Sequence, residues 1–227
     1  MKLFQKRESL TQNIAFMSLM SGITLVISVF ATFFPILGVF IIIALPLTST
    51  LVELYCKDRY YIIYAIGTIG LCLAANFWNI GTTFYYVIPS IFTGFIFGFM
   101  TKKSIPSVWT ILVAATIQFG LTIGSIYIIR LMIGVDMLET FRTIFDFIDY
   151  DLFNIIFPTF CFLVSSIQVV LSYIVISNEI KKFGYEVDHD KTHMWIYQAL
   201  TLVLCGSIIG FQFIYIPIAY VIVIMVY

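Results

Sequence analysis

The chain has 227 residues, of which 61% are hydrophobic, 18% aromatic and only 11% charged, and its twelve lysines and arginines are balanced by twelve acids. Its mean hydropathy is +1.05, and the apolar share exceeds the roughly 45–50% of ordinary globular domains, so a water-soluble fold is excluded. Zero formal net charge also argues against a nucleic-acid partner or any other role carried by bulk positive charge.

The apolar runs approach or exceed the ~18 residues that mark a spanning helix, and none shows the alternating polarity of a barrel strand. The expected fold is therefore all-α, a polytopic transmembrane helix bundle forming a single integral membrane domain over residues 1–227. A basic N-terminus leads into a first helix at 12–34, too long for a signal-peptide core and so expected to stay as an anchor. Ala15, Ser18 and Gly22 give this helix a small-residue face, the kind of surface on which another helix docks closely. Pro35 separates it from a second helix at 36–55, which ends in Lys57, Asp58 and Arg59 because such charges are costly in hydrocarbon. Glu53 is expected to pair with Lys57, four residues on.

A third helix at 60–78 runs into the polar, aromatic turn NFWNIG, Asn76 to Gly81. The fourth, at 82–100, stops at Lys102, Lys103, Ser104 and Pro106, and the fifth spans 107–133. Over 135–150, Met137, Leu138, Phe141, Ile144, Phe145 and Ile148 recur at helical spacing between acids and threonines. This pattern predicts an amphipathic helix on the extracellular side, either lying on the membrane or capping the bundle. A sixth span is expected at 152–178. A seventh helix is placed at 194–217, within an additional C-terminal membrane segment over 194–227; residues 195–227 form either one long tilted helix or a hairpin broken near Gly210 or Pro217.

Loop charges set the expected orientation. With a cytoplasmic N-terminus, Lys2, Lys6, Arg7, Lys57, Arg59, Lys102, Lys103, Lys181, Lys182 and Lys191 all fall inside, ten of the twelve cations, as the positive-inside rule requires. Only Arg130 and Arg142 fall outside. A multi-pass protein of the cell membrane follows, with the lipid bilayer as its first partner.

No enzyme constellation is visible, and neither a cofactor nor a metal is expected. The four cysteines are scattered with no C-x-x-C pair, and His189 and His193 lie in a predicted hydrated loop. Gly94-x-x-x-Gly98, Gly120-x-x-x-Gly124 and Gly206-x-x-x-Gly210 are close-packing marks. The candidates for binding a small organic solute gather toward the outer half. Asn76, Trp78 and Asn79 close the third helix, and Thr82, Thr83, Tyr85 and Tyr86 open the fourth, setting aromatic faces beside hydrogen-bonding groups. An interfacial aromatic belt is the competing account. Gln118 and Gln168, inside spans, either line a cavity or knit helices together. Arg130 is a ligand contact, a snorkelling anchor or the partner of Asp136 or Glu139.

Residues 10–187 resemble the six-helix substrate-binding S-components of energy-coupling factor (ECF) transporters. The likeness rests on the basic N-terminus, the small-residue face, the Pro35 turn and PLTSTLVELYCKDRYYIIYAIGTIG. The segment LFNIIFPTFCFLVSSIQVVLSYIVISNEIKKFGYEV is similar to the YybS-like bacterial membrane family, a group related to those S-components. The resemblance implies a six-helix unit over 1–182, uptake of a small solute, and docking on energising transporter subunits through Ala15, Ser18 and Gly22. The first helix departs from the Ala-x-x-x-Ala face of S-components, since Leu19 stands four residues after Ala15. A non-transporting membrane scaffold or regulator, acting through helix–helix contacts, is the alternative.

Overall fold

The computed structural model of the chain describes residues 9–34, 38–134, 136–144 and 150–182, and all the regular structure among them is helical. Helix α1, Leu10–Phe33, begins where the Ser9 hydroxyl accepts the Gln12 amide at 3.2 Å, satisfying a donor that the first turn leaves open. It ends because Phe34 precedes Pro35, whose ring disfavours helical geometry in the residue before it; Phe34 sits at φ −127°, ψ 76°. Helix α2 is Gly38–Tyr55 and helix α3 is Asp58–Ala75, whose first turn carries Asp58 against the positive end of the helix dipole. Helix α4, Ile80–Lys102, contains one π-helical turn at Thr83–Val87.

Helix α5, Ser107–Ile133, stops at Gly134, which takes the left-handed conformation at φ 73° and returns its amide to the Arg130 carbonyl at 3.0 Å, a glycine C-cap. Asp136 then opens helix α6, Met137–Ile144, by accepting the Leu138 and Glu139 amides at 3.1 and 3.3 Å. Helix α7 is Tyr150–Lys182. These helices follow the expected order, and α5 occupies the expected residues. The basic N-terminus, the Pro35 turn, the second half of the amphipathic segment, His189, His193 and the 194–227 segment lie outside the described residues.

Among the described residues four helices are long and apolar enough to cross a membrane: Leu10–Phe33, Ile80–Lys102, Ser107–Ile133 and Ile156–Lys182. The distribution of polarity agrees with lipid contact. Ile62, Ile66 and Leu131 are 66%, 69% and 86% exposed, while Asn13, Thr24, Ser28, Thr50, Thr68, Asn76 and Thr93 are buried at 1% or less. Water would penalise continuous apolar faces of this kind; hydrocarbon favours them and drives polar side chains to find partners inside.

Helix α2 lies against α1, α4 and α7, and α5 packs against α4 and α7. The main core gathers Leu54, Tyr64, Ile91, Phe97, Tyr173 and Ile176 between them. A smaller core joins Ile126 of α5 to Phe153, Phe157 and Cys161 of α7, with Leu138 and Phe141 of α6 laid over it. The closest approach is α4 on α2. A Cβ on Gly94 would stand 2.5 Å from the Pro46 carbonyl oxygen, and one on Gly98 would stand 2.6 Å from Glu53 Cβ. Gly120 and Gly124 differ, with nothing described within 4 Å, so of the two described glycine pairs only Gly94/Gly98 is a close helix contact among the described residues.

Candidate functional site

Polar side chains form three levels along the bundle. At the end carrying the basic loops, Glu53 of α2 has a fully buried side chain and bonds Lys102 Nζ at 3.0 Å. The same ammonium binds Asp58 at the start of α3, and that bond holds the Asp58 carboxyl below its ordinary range. The expected Glu53–Lys57 pair is not made. Helix α2 ends at Tyr55, so Lys57 lies beyond it without the i,i+4 geometry that such a pair needs; its amide bonds Asn13 Oδ1 of α1 instead, at 3.2 Å.

The middle level ties α1, α2, α3 and α4. Ser21 bonds Thr68 at 2.7 Å, Thr24 bonds Thr48 at 2.8 Å, and Ser49 reaches the Tyr64 hydroxyl at 3.3 Å. The Tyr61 hydroxyl donates to the Ile91 carbonyl at 2.6 Å. On the other side of α4, the Gln118 side chain accepts from Thr93 at 2.9 Å and donates to Gln168 Oε1 at 2.7 Å. Gln118 therefore knits α4, α5 and α7 together.

The third level contains most of the candidate solute residues. Asn76 is wholly buried: its Nδ2 donates to Ser28 at 2.8 Å, its Oδ1 accepts from Thr32 at 3.0 Å, and Thr32 also reaches Thr82 at 3.1 Å. Replacing Asn76 with leucine removes its bonds to Ser28 and Thr32 and with them the polar tie between α3 and α1. A loss of about 1–3 kcal/mol is expected, read as a lowered melting temperature, while Asn79→Ala at an exposed position changes stability by about 0.5 kcal/mol or less. Trp78 is 54% exposed, with its ring beside those of Phe77 and Phe33. Tyr86 is half-buried.

The π-helical turn has a local cause and a local remedy. Within it the Ile88 amide bonds the Thr83 carbonyl, five residues back; in that register the next amide would serve the Phe84 carbonyl, but residue 89 is proline and has none. Ser125 of α5 supplies the missing donor at 3.0 Å. The turn buries two hydroxyls, Thr83 Oγ1 and Tyr85 OH, that have no hydrogen-bond partner among the described residues. Thr83 is fully buried in the bundle, and Tyr85 packs on the smaller core. Orphaned buried donors are uncommon, and π-turns often accompany functional sites.

Arg130 stands apart from these levels. Its side chain is 59% exposed and pairs with Asp136 Oδ2 at 3.3 Å, bracing the corner between α5 and α6 through the residue that caps α6. Ala15 and Ser18 are exposed on α1, and Gly22 has nothing described within 4 Å. Sequence reasoning passes over Ser28, Thr32, Thr93 and Ser125, because an isolated hydroxyl in an apolar helix carries no spacing signal. No protein-family model, curated protein or solved structure matches this chain.

Proposed function

We propose that this chain is a multi-pass protein of the cell membrane, N-terminus cytoplasmic, that binds a small organic solute as the non-enzymatic component of an uptake system. In this reading six S-component-like spans are followed by at least one more C-terminal span, as the resemblance to the ECF and YybS-like groups implies. The observation that carries it is the pair of orphaned hydroxyls at the π-helical turn of α4. Leaving such groups buried and unpaired costs about 1–3 kcal/mol each, a cost that a hydrogen-bonding ligand removes. Asn76, Thr83, Tyr86 and Gln118 are uncharged, so the solute is neutral or weakly charged; Arg130 contributes from the rim.

The test is mass spectrometry of small molecules that co-purify with the protein after gentle extraction, followed by thermal-shift measurement with the molecule found. Thr83→Val preserves shape and removes the hydroxyl; it is expected to abolish the ligand-induced shift and to leave the unliganded melting temperature at or above wild type, since an unpaired buried hydroxyl is lost. Arg130→Ala removes an exposed pair worth about 0–1 kcal/mol, so its unliganded melting temperature stays close to wild type. Loss of the shift in Thr83→Val together with an equal fall in unliganded stability counts against the site.

One observation favours the scaffold alternative. Ala15, Ser18 and Gly22 lie on the outward side of α1, where the close approach of another protein's helix is sterically open. Under that reading no metabolite is retained, and Gly22→Leu disrupts assembly with neighbouring membrane proteins without changing the melting temperature of the isolated chain.

A further inference from the structure

The charges around Glu53 do not balance. Among the described residues, Lys102 is one cation serving two carboxylates, Glu53 and Asp58, so with both carboxylates ionised the cluster carries one negative charge in excess. The other described cations nearby are directed elsewhere. Arg59 lies over the Tyr60 ring at 4.7 Å and donates to its hydroxyl at 2.6 Å, Lys103 lies over the Phe99 ring at 4.2 Å, and Lys57 is exposed. The two carboxylates are also unequal. Asp58 is 64% exposed and water solvates it, whereas the Glu53 side chain is 0% exposed.

Only one oxygen of Glu53 is served by the lysine. Oε2 is buried with no hydrogen-bond partner among the described residues. The side chain is held in that position because Gly98 leaves room for its Cβ and Cγ, which lie 2.6 and 2.7 Å from where an alanine Cβ would stand. A buried carboxylate that is half served takes up either a proton or a second cation, and ionisable groups inside membrane helices often mark ion sites.

We propose that Glu53 is the anionic centre of a site for a small monovalent metal cation, with Lys102 as the built-in competitor. The cation sits on Oε2, and Asp58 holds the lysine when the ammonium swings off Oε1. The site draws the ion from the end of the bundle where Lys102 meets water, and it is independent of solute binding at the π-helical turn.

Sodium is the probe. Purified protein is titrated with sodium chloride against choline chloride at constant ionic strength and fixed pH, with no solute added. Lys102→Gln removes the competitor, so its melting temperature is expected to rise with sodium, on the order of 5 °C at saturation, and not with choline. Glu53→Gln is expected to show no difference between the two salts. Equilibrium binding of radioactive sodium to wild-type protein decides the matter should Lys102→Gln fail to fold: saturable binding that unlabelled sodium displaces and Glu53→Gln lacks supports the site. Absence of saturable binding to wild type, or an equal response to sodium and choline in Lys102→Gln, overturns it.

Discussion

Alanine at Gly94 is expected to force α4 away from α2 and lower stability by about 1–3 kcal/mol, the usual range for overpacking a tight interior. The new Cβ would meet the Pro46 carbonyl oxygen at 2.5 Å, Ser49 Cβ at 2.5 Å and the Thr50 amide nitrogen at 3.0 Å. Two of these are backbone atoms and the third is fixed directly to the backbone, so no rotamer change relieves the clash. Gly98→Ala meets the same obstacle at Glu53 Cβ and the Thr50 carbonyl, 2.6 and 3.1 Å away. The internal control is Gly120→Ala, which has the same chemistry in the same kind of motif. With nothing described within 4 Å, it keeps the helix-propensity gain of roughly 1 kcal/mol over glycine and should melt no lower than wild type. Thermal melting of detergent-solubilised protein, followed by size-exclusion chromatography, separates the two classes. Equal losses at Gly94 and Gly120 would refute the packing assigned to α2 and α4.

This contrast shows what the sequence made legible. Hydrophobic run length, Pro35, the Lys57–Arg59 break and the Lys102–Pro106 break locate helices because each reports a local cost, and the observed helices begin and end within a few residues of those breaks. Which glycine pair is a contact is not local. Gly94-x-x-x-Gly98 and Gly120-x-x-x-Gly124 are indistinguishable as spacing, and only the partner surface, here Pro46, Ser49 and Glu53, separates them. The same limit explains Glu53. Along the chain its nearest suitable cation is Lys57, yet the pair forms with Lys102 across 49 residues, because the glycine notch brings the end of α4 over the end of α2.

The candidate site was legible in composition more than in connection. Asn76 and Gln118 stand out because amides in apolar helices need partners, and each is bonded through both its oxygen and its nitrogen. Their partners Ser28, Thr32 and Thr93 carry no such signal, since a lone hydroxyl satisfies itself on its own helix, as Thr32 also does on the Ser28 carbonyl at 3.2 Å. Arg130 drew notice as an outward-side cation, and its bond to Asp136 follows from the tight corner that Gly134 makes. The π-helical turn has no sequence signature beyond Pro89. The donor that Pro89 lacks comes from Ser125 of another helix, on the Phe84 carbonyl.

Lys102→Met is expected to be the most damaging charge substitution among the described residues. It leaves the Glu53 carboxylate fully buried without the ammonium 3.0 Å away, and removing one member of a buried pair typically costs about 3–5 kcal/mol. For a chain of this size that corresponds to a fall on the order of 10 °C in melting temperature, measured in sodium-free buffer so that no metal cation replaces the lysine. The cost arises from the charge left behind, so it is reversible at the second site: Glu53→Gln/Lys102→Met keeps volume, removes both charges and should recover most of the loss. Asp58→Asn is the surface comparison. Its carboxylate is 64% exposed, and exposed pairs contribute about 0–1 kcal/mol, so its melting temperature should stay near wild type. Strict additivity of the Glu53 and Lys102 effects in this cycle would mean that the two residues do not interact, and the buried ion pair would have to be abandoned along with the sodium site built on it.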